Sequence, residues 1–130
     1  MRRRVADARV ARLATVDASG RPHLVPFCFV LDGDEVLSAV DAKPKATRRL
    51  RRLQNVGANP SVSVLVDHYE EDWQSLWWVR LDGRAEVVDS GPRSERALDL
   101  LAGKYAQYRE DRPAGPVLSI HVEHWAGWTP

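Results

Sequence analysis

The sequence predicts a small, mainly β domain: a closed or nearly closed antiparallel barrel with helices packed outside it. Three observations predict it: short apolar runs with strand-like alternation, tight-turn residues between them, and two longer stretches with helical spacing. The chain has 130 residues, 44% hydrophobic and 28% charged, which suits a single domain over residues 1–130 with a core of its own.

In chain order, residues 2–10 can form a short helix. RLATV (12–16) reads as a strand, Asp17-Ala18-Ser19-Gly20 as a hairpin turn, and HLVPFCFVL (23–31) as the next strand. Asp32-Gly33-Asp34 turns the chain into EVLSAV (35–40). Leu24 to Leu31 is apolar on both faces apart from Pro26 and Cys28, the pattern of a strand covered on both sides. Pro26 cannot donate a ladder hydrogen bond and marks an edge, a bulge or a place where a ligand replaces a neighbouring strand. Ala46, Leu50 and Leu53 set a helical stripe over 46–56, and Asn59-Pro60 ends it. SVSVLV (61–66) alternates cleanly, and 67–72 is an acidic loop. SLWWVRLDGRAEVV (75–88) forms two strands or one long bent one, since Asp82-Gly83 permits a turn or bulge. Residues 92–108 give the longest helix, with Ala97, Leu98, Leu101 and Tyr105 inward, and VLSIHVEHW (117–125) is the last strand.

Charge narrows the function classes. Net charge is +1, yet residues 1–65 carry 12 Lys+Arg against 6 Asp+Glu, and residues 66–130 carry 7 against 12. Basic character is local, which fits a confined anion site or a contact between subunits better than a nucleic-acid or membrane surface. No run approaches the roughly 18 apolar residues of a membrane span, and MRRRVADARV lacks the apolar block of a signal peptide, so a cytoplasmic protein is expected. Cys28, the single cysteine, sits in FCFVL and is expected to be a buried, inert thiol. His121 and His124 lie three apart on a strand and should face opposite ways, so no shared metal is expected. No nucleotide-binding glycine loop, nucleophile elbow or carboxylate pair occurs. If the protein is an enzyme, a cofactor brings the chemistry.

The stretch 41-DAKPKATRRLRRLQN-55 is the strongest polar feature. Lys43 and Lys45 precede the first turn of a helix, where unpaired N–H groups and the helix dipole favour a phosphate. Thr47, Arg48, Arg49, Arg51 and Arg52 extend it. A solvated helix face with snorkelling arginines fits the same spacing.

The runs LATVDASGRPHLVPFCFVLDGDEVLSAVDAKPKATRRLRRL, NPSVSVLVDHYEEDW, LWWVRLDGRA and HVEHWAGW resemble the pyridoxamine 5′-phosphate oxidase-like split-barrel family. DAKPK, DHYEEDW and LWWVR resemble its small branch of oxidoreductases dependent on a deazaflavin, coenzyme F420. The resemblance implies a six-stranded antiparallel Greek-key split β-barrel of the FMN-binding type with two or three flanking helices. It also implies a homodimer with two cofactor sites between subunits. Carried over residue by residue, Leu24, Val25 and Pro26 would run beside the cofactor ring with Ser38, Ala39 and Val40 on the neighbouring strand. Lys43, Lys45 and Arg48 would hold the phosphate, and Trp125 would stand near the opposite wall. VPFCF departs from the oxidases that give the family its name, which carry an Arg and a Lys there to contact flavin phosphate. That weakens FMN, the alternative cofactor. Coenzyme F420 continues beyond its phosphate into a chain of glutamates, and Arg48, Arg49 and Arg52 offer a longer cationic track for it. His68, Tyr69 and Trp78 are candidate substrate-pocket residues; Trp77 and Trp78 are adjacent and should face opposite ways.

Three functions are thereby set against one another. They are a hydride-transferring oxidoreductase acting on a small conjugated or planar substrate, a non-catalytic carrier of flavin, deazaflavin or tetrapyrrole, and a basic nucleic-acid-binding barrel, which the acidic second half opposes.

Overall fold

The computed structural model describes residues 1–40 and 46–130, with residues 46–50 described as helical backbone only. In order, the elements are α1 (Arg2–Asp7), β1 (Ala11–Val16), β2 (Pro22–Phe27), β3 (Val30–Asp32), β4 (Glu35–Ala39), α2 (Ala46–Ala58), β5 (Ser61–His68), β6 (Trp77–Val88), α3 (Pro92–Lys104), α4 (Ala106–Glu110) and β7 (Val117–Trp128), with a 3₁₀ turn at Trp73–Ser75. The strands form one antiparallel sheet in the order β2-β1-β5-β6-β7-β4-β3.

Strands β2 and β3 lie at opposite edges of that sheet with five strands between them, yet only Cys28 and Phe29 separate them in the chain. Three Cα steps reach at most about 11 Å, whereas six strand spacings in a flat sheet span roughly 29 Å. The sheet must therefore curl until its edges approach. No ladder joins β2 to β3 among the described residues, so the barrel stays split. The interior holds Leu13, Phe29, Val36, Val64, Leu81 and Ile120, all without solvent exposure, and Val5 of α1 plugs into the same cluster. A second cluster packs α3, through Ala97, Leu98 and Leu101, onto Leu37 and Ala39 of β4 and Val117 of β7.

The expected six strands are seven, because the run 23–31 divides at Cys28–Phe29. The division has a clear cause. The Phe29 N–H donates to the Tyr105 hydroxyl (3.1 Å), and the Phe29 carbonyl accepts from the Lys104 ammonium (2.9 Å), with the Tyr105 hydroxyl 3.0 Å away. Side chains from the end of α3 take the backbone groups that a continuous ladder would use. The expected helix 92–108 breaks at this same Tyr105, whose extended backbone (φ −115, ψ 118) separates α3 from α4. The first helix is also shorter than expected, ending at Asp7.

Strand β6 is one long bent strand. Asp82 pairs with His124 and Gly83 with Val122, leaving Glu123 as the extra residue of a bulge. A Cβ on Gly83 would collide with the His121 carbonyl oxygen of β7, so the bend requires glycine. At the β1–β2 hairpin Gly20 adopts φ +88, and the Asp17 carboxylate accepts from the Ser19 N–H, the Ser19 hydroxyl and the Arg21 N–H. The Ser19 hydroxyl, foremost, holds that carboxyl below its ordinary range. Helix α2 is fixed from within by Val56, buried in the core, and by Asn55, whose amide donates to the buried Thr15 hydroxyl (3.1 Å).

Candidate functional site

The outer face of β2 is an open apolar surface. In this edge strand Val25 and Phe27 turn into the barrel while Leu24, Pro26 and Cys28 point out. Leu24 is 68% exposed. Leu24 stands opposite Ala14 in the ladder and Pro26 opposite Arg12, so the strip is bounded on one side by a small residue and a guanidinium. The run 24–31 is expected to be covered on one face by the barrel core and on the other by something else; within this chain Val30 meets the α3 cluster, and the outer face at Leu24, Pro26 and Cys28 is open among the described residues. The expected buried thiol is corrected for the same reason, since Cys28 continues the outward parity of Leu24 and Pro26 and is exposed. Pro26 marks an edge, where its missing N–H costs nothing.

The neighbouring candidates behave differently. Ser38, Ala39 and Val40 are all buried, at 4%, 7% and 8% exposure. The Ser38 hydroxyl donates to the Cys28 carbonyl (2.9 Å), tying β4 to the β2–β3 crossover. Any contact these three make with a ligand is therefore through backbone. Lys43 and Lys45 lie outside the described residues, as do the side chains of Arg48 and Arg49. Arg52 is half-buried and already engaged within the protein.

Trp125 packs partly against the barrel core and lies under the Arg2 guanidinium, 4.7 Å from the ring centroid. Its strand β7 pairs with β6 and β4 and is not a ladder neighbour of β2. Trp77 and Trp78 do face opposite ways: Trp77 packs on the barrel core, and Trp78 stands opposite Trp128, which is 46% exposed. His68 stacks on Trp77 (5.9 Å, 16°), and its Nε2 lies 2.6 Å from Glu70. Tyr69 is exposed, its hydroxyl 3.4 Å from Glu71. His68 and Tyr69 thus flank the end of β5, away from Leu24.

Sequence reasoning missed two features. Lys104, near Cys28, is half-buried against Phe29 and Tyr105, 4.1 Å and 5.3 Å from their ring centroids, and burial pushes its ammonium down to about 8. Tyr105, likewise half-buried, is pushed up by desolvation. The second feature is the seating of α1 arginines on aromatic rings: Arg2 on Trp125, Arg4 on Trp77 (5.0 Å), and Arg9, just beyond the helix, on Tyr105 (4.8 Å). Arg2 also pairs with Asp34, lowering that carboxyl below its ordinary range. A basic N-terminus beside distant tryptophans leaves no local pattern to find. His121 and His124 are both exposed, and no cluster of three metal-ligating side chains occurs among the described residues.

An exposed, flat apolar strip on an edge strand fits the face of a planar ring. The family model described as pyridoxamine 5′-phosphate oxidase matches residues 1–129. A 5a,11a-dehydrotetracycline/5a,11a-dehydrooxytetracycline reductase of Streptomyces rimosus is 34% identical over 86 residues, 65% of this chain; the match spans 59% of that protein's length. Among solved structures, a FAD-binding protein of Mesorhizobium loti superposes with a TM-score of 0.74 at 21% identity, covering 97% of this chain and 89% of that one. The heme storage protein HutZ of Vibrio cholerae gives 0.76 at 17% identity, with 98% and 90% covered. At these identities the two structures speak to the split-barrel fold alone.

Proposed function

The chain belongs to the pyridoxamine 5′-phosphate oxidase family, and from that premise we propose that it is an oxidoreductase using the deazaflavin coenzyme F420 and a small conjugated or planar organic substrate. The observation that carries this reading is the uncovered outer face of β2, with Leu24 68% exposed beside Pro26. Burying such a strip against a ring is favourable at about 25 cal/mol per Å². The reductase of Streptomyces rimosus supports the redox class.

When bound, the deazaflavin would supply a hydride to the substrate. The chain's own residues bind and orient. Leu24 and Pro26 would form the ring strip, with Val25, whose side chain turns into the barrel, passing beside the ring through its backbone. Ser38, Ala39 and Val40 would present the backbone beside it; the Ser38–Cys28 bond keeps that backbone in place. Lys43 and Lys45 would hold the phosphate, with Arg48, Arg49 and Arg52 along the glutamyl tail. Trp125 would stand at the opposite wall of the site, and the protein is proposed to work as a homodimer with its cofactor sites between subunits. His68, Tyr69 and Trp78 would meet the substrate. No helix among the described residues is long and apolar enough to cross a membrane. We assign the protein to the cytoplasm, with no nucleic acid or membrane partner.

Fluorescence titration with the deazaflavin coenzyme and with FMN, on wild type and a Lys43→Ala/Lys45→Ala variant, tests the assignment. Deazaflavin binding that is tighter than FMN binding and is lost in the variant is expected. Preferential FMN binding would move the protein to the flavin side of the family, and binding without turnover would make it a carrier.

A further inference from the structure

Between α1 and the paired ends of β5 and β6 lies a groove of about 430 Å³, lined by Arg4, Arg9, Arg12, Asp67, His68 and Trp77 among others. Its wall is a stack, the His68 ring on the Trp77 indole, with the Arg4 guanidinium also on that indole. Its charges are unbalanced. Arg12 lies 3.5 Å from Asp67, but among the described residues Arg4 meets no carboxylate, and Arg9 donates only to the Lys104 carbonyl (3.0 Å) while lying over Tyr105. Asp7 is the only other carboxylate lining the groove among the described residues, and Glu70 stands 2.6 Å from the Nε2 of His68 at its edge. Guanidiniums without carboxylate partners among the described residues, beside a stack of the exposed His68 ring on the part-buried Trp77, suit a ligand that brings both an aromatic face and a negative charge. The volume falls within the ordinary range for small-molecule sites, roughly 300–1,000 Å³.

We propose that this groove binds a planar aromatic molecule bearing an anionic group, such as a carboxylate, with Arg4 and Arg9 taking the charge and the Trp77–His68 stack taking the ring. Arg12 is the ladder partner of Pro26, so the Arg12 side of the groove adjoins β2 at Pro26. The bound molecule is then the substrate, or the anionic end of one, held beside the ring strip. In that role the proposal rests on the redox reading above, whereas the binding itself does not.

The test is a fluorescence-anisotropy titration of the cofactor-free full chain with anthracene-9-carboxylate and, in parallel, with neutral 9-anthracenemethanol. Wild type should bind the acid at least about tenfold more tightly than the alcohol, and added salt should weaken only the acid. Arg4→Gln, at an exposed position of α1, should lose about tenfold for the acid with an unchanged melting temperature. Equal affinity for acid and alcohol, acid binding untouched by Arg4→Gln, or no binding at millimolar probe would each overturn the proposal. If Arg4→Gln fails to fold, the acid–alcohol comparison on wild type decides alone. Deazaflavin affinity, read separately from the coenzyme's own emission, tells failure of this site from failure of the redox reading.

Discussion

Strands β2 and β4 are both apolar, and the molecule treats them oppositely. β4 is buried on both faces: Val36 and Ser38 toward the barrel, Leu37 and Ala39 beneath α3. β2 is buried on one, with Leu24 and Pro26 left to solvent. The difference is which strand received a helix, not how apolar the residues are. A covered apolar face is accounted for by folding; an uncovered one on an edge strand calls for a ligand or a second subunit.

The largest expected effect separates the two leucines that define this contrast. Leu37→Ala, under α3, should destabilise the fold by about 2–4 kcal/mol in urea unfolding, whereas Leu24→Ala should fall within about 0.5 kcal/mol. Equal losses would mean that Leu24 is covered by this chain after all. Uncovering β4 from the helix side, by Leu101→Ala, should cost a similar 2–4 kcal/mol.

A pH-dependent effect sharpens the comparison at the joint between the two strands. Lys104 clamps the Phe29 carbonyl in the β2–β3 crossover with its pKa pushed down to about 8 from an ordinary 10.5. The folded state therefore disfavours the ammonium, a cost that is fully present below pH 8 and relieved as pH rises toward 10.5. Tyr105 works the other way. Its raised pKa keeps the phenol neutral in the fold, so stability falls once the unfolded chain ionises above its ordinary 10.0. Melting temperature should climb between about pH 8 and 10 and then decline. Lys104→Met, which keeps the stem and loses the charge, should remove the climb. A wild-type profile flat over that window contradicts the assignment.

Much of the fold was legible because its cues are local. Gly20, Gly33 and Asn59-Pro60 punctuate the strands, Val62, Val64 and Val66 alternate, and Asp82-Gly83 marks the bend in β6. The break at Cys28–Phe29 was not, because the groups that impose it, Lys104 and Tyr105, lie about 75 residues away. An apolar run also reads alike whether its second face meets a helix or water, so the exposure of Cys28 was out of reach. Of the candidate site, Pro26 announced an edge by chemistry alone. The Arg4–Trp77–His68 stack sets Arg4 of α1 on the distant β5–β6 pair, and that joining left no local pattern.

The smallest change that addresses the central claim is a charge on the open strip. Leu24→Glu replaces an exposed residue, so its melting temperature should stay within a degree or two of wild type. A deazaflavin titration of wild type and Leu24→Glu, followed by the coenzyme's fluorescence, is the most direct measurement. The account predicts binding to wild type and a loss of at least about tenfold in the variant, since the carboxylate would have to be desolvated beneath the ring. Undiminished affinity in a folded Leu24→Glu protein would contradict it and place the cofactor elsewhere.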